Sequence, residues 1–102
     1  MAATNNKLDE AICGLSRNDA TLTSLYLYQN HVGDEGARRL AEALATNSTL
    51  TALDLCNNQV GAEGVGRLAE ALATNSTLTT LDLEENRVGN KGARRLAESL
   101  PH

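Results

Sequence analysis

The sequence contains no tryptophan and no phenylalanine; its only aromatic residues are Tyr26 and Tyr28. With so few aromatic residues, no extended aromatic platform for a sugar is in evidence, which argues against glycoside chemistry. Histidine is nearly absent as well. His31 and His102 are the two copies, and no Ser-His-acid or Cys-His set can be assembled around either. Basic blocks are missing too. Nine Lys and Arg stand against 13 Asp and Glu, a net charge of −4 with scattered signs, so nucleic acid is not the partner. No stretch approaches the ~20 apolar residues of a membrane helix. The opening MAATNNKLDE lacks the apolar run of a secretory signal. Cysteine is scarce: Cys13 and Cys56 read as reduced thiols of a cytoplasmic protein, Cys13 on a helix and Cys56 facing solvent at the end of a strand. At 102 residues the chain has room for one small domain.

What the chain does have is repetition. Residues 22–49, LTSLYLYQNHVGDEGARRLAEALATNST, return as LTALDLCNNQVGAEGVGRLAEALATNST at 50–77, and these two copies agree at 20 of 28 positions. A third copy, LTTLDLEENRVGNKGARRLAESL, begins at Leu78 and is incomplete. A fixed period of this length marks a stacked-repeat architecture. The expected organisation is one domain over 1–102: a helical half-repeat or cap at 1–21, full repeats at 22–49 and 50–77, and an incomplete repeat at 78–102.

Each copy dictates a strand followed by a helix. Leu25 and Leu27, Leu53 and Leu55, and Leu81 and Leu83 lie two apart, on one face of a short strand. Three residues after the last leucine stands an asparagine (Asn30, Asn58, Asn86), suited to a buried ladder that bonds backbone groups of neighbouring turns. Val-Gly then turns the chain. Leu40 and Leu44, Leu68 and Leu72, and Leu96 and Leu100 follow, four apart on a helix face. Asp34 and Asn90 read as N-caps of their own helices, whereas Ala62 in the same column is a poor one. Within residues 5–17, Leu8, Ile12 and Leu15 share a helical face, with Asn5 or Asn6 as cap. Successive strands must run parallel through right-handed crossovers. Helices need ~8–10 Å of width against ~4.8 Å for strands, so the stack curves with its strands inside.

The pattern LxxLxLxxN, a Val-Gly turn and a helix at a 28-residue period resembles the leucine-rich repeat of the ribonuclease-inhibitor type. The wording LAEALATNSTLTxLDL is most similar to the NLR-type repeats. The resemblance implies an α/β solenoid, a curved horseshoe segment with parallel strands on the concave face and helices on the convex face. It implies a recognition module without catalysis or cofactor. Two alternatives come from the same family: a GTPase-activating accessory of the Ran GAP type, and a truncated structural fragment of a larger NLR-like sensor.

The copies also show where they differ. Five of the eight columns that change between the first two lie on, or just after, the outward strand face, among them Tyr26/Asp54/Asp82, Tyr28/Cys56/Glu84 and Gln29/Asn57/Glu85. The scaffold is constant and this surface varies, which points to a binding face. Tyr26, Tyr28, Asp54, Cys56, Asp82, Glu84 and Glu85 are its expected contacts. The tyrosines would anchor, and the acids would meet a basic protein surface with salt-sensitive binding. Asp54 and Asp82, in register on adjacent strands, stand close enough to raise a carboxyl pKa, yet an acidic patch on an open face fits them better than an active site. No metal site emerges: Asp82, Glu84 and Asn86 imitate the start of a calcium loop, but Arg87 and Ala93 break its pattern. The glycines from Gly61 to Gly66 belong to the strand-to-helix turn and to the helix, in the wrong order for a phosphate loop. Asn47-Ser48-Thr49 and Asn75-Ser76-Thr77 match the glycosylation pattern and serve more simply as turn and cap residues. On the helices, Asp34 with Arg38, Glu35 with Arg39, Arg38 with Glu42, and Arg94 with Glu98 are expected surface pairs. Arg38-Arg39 and Arg94-Arg95 hold a weak claim as an anion site. At the far end, Leu83, Val88 and Leu96 would face water beside an open strand edge, which fits self-association.

Overall fold

Leucines two apart on short strands and four apart on the following helices generate the architecture seen in a computed structural model, which describes residues 6–89. The order is α1 (Asn6–Ser16), β1 (Ser24–Tyr26), α2 (Gly33–Leu44), β2 (Ala52–Asp54), α3 (Ala62–Leu72) and β3 (Thr80–Asp82). The three strands form one parallel sheet in the order β1-β2-β3. Leu25 pairs with Leu53 and Leu53 with Leu81, so every residue lies beside its own copy. This register follows from the period, and a one-residue slip would turn the leucines to the other face. The helices stack in the same sequence, α1 on α2 and α2 on α3.

The core lies between the two layers. Leu25, Leu27, Leu53, Leu55 and Val60 from the strand side meet Ala37, Leu40, Leu44, Val65 and Leu68 from the helices, all buried. Helix α1 contributes Leu8, Ala11 and Leu15, with Ile12 partly buried against them. Asp9 on α1 bonds Arg39 on α2 at 2.9 Å. At the other end Leu78, Leu81, Leu83 and Val88 are only partly buried, where their copies Leu50, Leu53, Leu55 and Val60 are fully enclosed. Strand β3 forms the edge of the sheet. Asn5, Asn90, Leu96, Leu100 and the expected contacts of Arg94, Arg95 and Glu98 lie outside the described residues.

The asparagine ladder is present at Asn58 and Asn86. Asn58 is fully buried; its Oδ1 accepts from the N–H groups of Asn30 (2.8 Å) and Val32 (3.2 Å), and its Nδ2 donates to the carbonyls of Leu27 (2.7 Å) and Cys56 (3.1 Å). Asn86 repeats the pattern one turn on, accepting from Asn58 and Val60 N–H at 2.9 Å each. Between the two N–H groups that each amide grips sits a residue in the left-handed region, His31 (φ 53°) or Gln59 (φ 59°). Such a conformation is costly for a residue with a Cβ. The ladder bonds on both sides hold it.

A second ladder runs through the TNST turns. Asn47 Nδ2 donates to Leu15 O at 3.2 Å and Asn75 Nδ2 to Leu44 O at 2.8 Å, while each Oδ1 accepts from the backbone N–H groups two and three residues on. Each of these asparagines thus satisfies a carbonyl near the end of the preceding repeat's helix. Both are buried, so the glycosylation pattern here serves the turns.

Two local expectations fail. Asp34 does not cap its own helix: Val32 holds the N-cap position of α2 with no side-chain bond. Asp34 already lies inside the first turn and reaches to the next repeat, where its Oδ1 accepts from Gly61 N–H at 2.7 Å and Gly64 N–H at 3.1 Å. It therefore caps α3, which has no side-chain cap of its own. The surface pairs also rearrange. Arg38 bonds both Glu35 and Glu42, and Arg39 turns to Asp9 instead of Glu35, because α1 packs beside it.

Candidate functional site

Alternation along each strand turns every second side chain away from the core. Ser24, Tyr26 and Tyr28 point out from the first repeat, and the sheet register sets Asp54 beside Tyr26 and Asp82 beside Asp54. Tyr26 is 61% exposed and Tyr28 50%; they are the exposed large hydrophobic side chains among the described residues. Glu84 and Glu85 are exposed at the end of the third strand, while Asp54 and Asp82 are partly buried. Six of the seven sequence-selected residues are therefore at least partly exposed.

Cys56 is the exception. The sequence reading turned it to solvent, but it is buried. Strand β2 lies between two neighbours, so the position after it is flanked on both sides. Its column mates Tyr28 and Glu84 follow edge strands and have one flank open. The thiol lies against the carboxylates of Asp54 and Asp82. The bond to Asp54, then burial, then the bond to Asp82 push it up to about 12.

The carboxylates are oriented by backbone groups. Asp54 Oδ1 accepts from Cys56 N–H at 2.9 Å, and Asp82 Oδ1 from Glu84 N–H at 3.1 Å. The expectation that close carboxylates raise a pKa is reversed at Asp82. Its bond from the Cys56 thiol, and then that from Glu84 N–H, hold it below the usual carboxylate range. Hydrogen bonds to the charged form outweigh the desolvation that would raise it.

Ligand atoms of Asp54, Cys56 and Asp82 lie within 4.8 Å of one another, a clustering the sequence reading did not identify. The register of the Asp column and the single Cys after it were the available signal. At neutral pH the thiol keeps its proton, and its single S–H can serve one of the two carboxylates at a time.

On the opposite side, α2 and α3 frame a cleft of about 480 Å³ lined by Arg38, Ala41, Glu42, Ala45, Arg67, Glu70 and Ala71. Its arginines face glutamates, Arg38 with Glu42 at 3.0 Å and Arg67 with Glu70 at 3.8 Å. Arg39 is taken by Asp9. Arg38-Arg39 thus forms part of a neutralised helix surface and not an anion site.

The family model described as "Leucine Rich repeat" matches residues 18–41, 46–69 and 74–97. Among solved structures, the chain is similar to one described as leiomodin-1 actin-binding site 2, at 25% identity and a TM-score of 0.85. It is also similar to the tropomodulin C-terminal domain of Caenorhabditis elegans, at 24% identity and a TM-score of 0.81; this likeness is one of fold. Both similarities cover 90% of this chain, but only 54% and 56% of the other two, so it spans little more than half their length. No curated protein sequence matches the chain.

Proposed function

The chain belongs to the leucine-rich repeat family, and from that premise we propose that it is a non-catalytic protein-interaction module whose partner docks on the outward strand face. The observation that carries this reading is the pair Tyr26 and Tyr28, 61% and 50% exposed on a sheet whose leucines are turned into the core. Exposed aromatics on a preorganised surface are the usual anchors of interfaces. Asp54, Asp82, Glu84 and Glu85 supply negative charge around them, which selects a basic partner surface. Cys56 contributes from beneath, by fixing the two aspartates, and not by direct contact. The likeness to a structure described as an actin-binding site supports a protein partner as a class. The strand-turn-helix unit with its asparagine ladder supports the ribonuclease-inhibitor type of repeat, with NLR-type repeats as the nearest in wording. An exposed free thiol at Cys13 fits the reducing cytoplasm.

The test is affinity capture with the immobilised chain, with retained proteins identified by mass spectrometry. The expected result is a partner that is lost on Tyr26→Ala with Tyr28→Ala and released by raised salt. Retention that survives both substitutions, but fails when Arg67 and Glu70 are replaced, would move the site to the helices and overturn the reading.

A second reading rests on a separate observation, the partly buried Leu81, Leu83 and Val88 beside the edge strand β3. We propose self-association there. Light scattering over a range of concentrations tests it: a monomer throughout removes it.

A further inference from the structure

The outward strand face is more specific than a negative surface. Tyr26, Asp54 and Asp82 form one row across the sheet, at the ~4.8 Å spacing of neighbouring strands. A second row follows along the strands, Tyr28 to Cys56 to Glu84. Here Gln29 N–H donates to Cys56 O at 3.2 Å and Asn57 N–H to Glu84 O at 2.9 Å, so the pairing continues past the named strands. Each row has an aromatic ring at one end and acid beyond it.

The negative charge on this face is not neutralised from within. Among the described residues, the ion pairs join Arg38 to Glu35 and Glu42, Arg39 to Asp9, and Arg67 to Glu70, all on the helices. The carboxylates are also held still. Backbone N–H groups hold Asp54 and Asp82, and the Cys56 thiol lies within 4.8 Å of both carboxylates. Acceptors that are fixed before binding lose little entropy when a donor arrives.

A cation bound here meets a ring face and a carboxylate edge together. An ammonium group is compact and strongly hydrated, and it acts as a point charge. A guanidinium is flat and weakly hydrated; it stacks on an aromatic ring while its N–H groups donate in their own plane to carboxylates beside the ring. The row Tyr26–Asp54–Asp82 presents that combination. Building on the reading that a partner docks on this face, we propose that the row is the docking site for an arginine side chain of the partner protein, stacked on Tyr26 and donating to Asp54 and Asp82.

The probe is a short peptide carrying arginines separated by glycines, set against its lysine counterpart. Both are titrated into the isotope-labelled full chain, and backbone amide shifts are followed by NMR. Shifts are expected at Tyr26, Asp54 and Asp82, with the arginine peptide about fivefold tighter than the lysine peptide. Tyr26→Phe keeps that preference, and Tyr26→Leu reduces it to the level of lysine. Circular dichroism melting confirms that both variants are folded. Equal affinity for the two peptides overturns the arginine site and leaves a basic partner on the strand face standing. Shifts confined to α2 and α3 overturn both. Absence of saturable shifts with either peptide at millimolar concentration overturns the arginine site.

Discussion

The carboxylate of Asp34 caps a helix that is not its own: its Oδ1 lies 2.7 Å from the backbone nitrogen of Gly61, 27 residues further on. The same oxygen accepts from Gly64 N–H. Two free donors at the start of α3 are thereby satisfied by the preceding repeat, and the negative charge meets the positive end of the helix. Asp34→Ala is expected to lower stability by about 1 kcal/mol, with Asp34→Asn retaining most of it. Urea denaturation measures both. The same experiment tests Gly64→Ala. An added methyl would normally favour a helix by about 1 kcal/mol, but here it would sit 2.6 Å from Asp34 Oδ1 and 2.8 Å from Val60 Cγ1. A lower midpoint is expected; a higher one would show that the repeats can spread apart at this point.

Asn58 and Asn86 make equivalent bonds in different surroundings. Asn58 is fully buried and Asn86 is partly exposed. Removing the amide at Asn58 strands the N–H group of Val32 and the carbonyl of Leu27 away from water, a loss of about 3 kcal/mol. At the end of the stack water replaces part of what is lost. Asn58→Ala is therefore expected to cost clearly more than Asn86→Ala in the same denaturation experiment. Equal losses would mean that the ladder acts only through local turn geometry.

The two thiols are expected to separate in reactivity. Cys13 is exposed on α1, whereas Cys56 is buried and its thiol is pushed up to about 12. The fold holds this proton, while the unfolded chain releases it near the ordinary value of 9.0. The contribution to stability is thus present below pH 9 and is lost as the pH rises towards 12. Ellman's reagent at neutral pH should modify Cys13 quickly and Cys56 only on unfolding. In Cys13→Ser, thiolate absorbance should appear at higher pH in the folded protein than in urea. Coincident titrations would remove the bonds from Cys56 to Asp54 and Asp82.

Much of the fold was legible because the sequence repeats. With identical leucines every 28 residues, equivalent packing of each repeat sets every residue beside its copy, and Leu25, Leu53 and Leu81 pair in that register. The buried asparagine was legible for a chemical reason: a recurring amide within an apolar pattern must find backbone partners. The second ladder was less visible. Asn47 and Asn75 stand among Thr and Ser, the ordinary vocabulary of turns, and only their burial distinguishes them.

The outward face was read correctly where alternation alone decides the side. Tyr26 and Tyr28 reach solvent because period two turns them from the leucines. Alternation says nothing about flanking strands, and so Cys56 was misplaced. The same limit applies to Asp82: its in-register neighbour was visible, but the thiol and N–H bonds that lower its pKa were not.

By itself, the sequence determined the repeat, the parallel register, the division into strand and helix layers, and the amide ladder. All of these follow from periodicity, which is a property of the chain. Only the tertiary structure decided which helix Asp34 caps, which partner Arg39 takes, and why Cys56 is buried while Tyr28 is not. Those outcomes depend on what the adjacent repeat presents, and on whether a position lies in the middle of the stack or at its edge. Three nearly identical copies carry no mark of their place in the stack; packing assigns it.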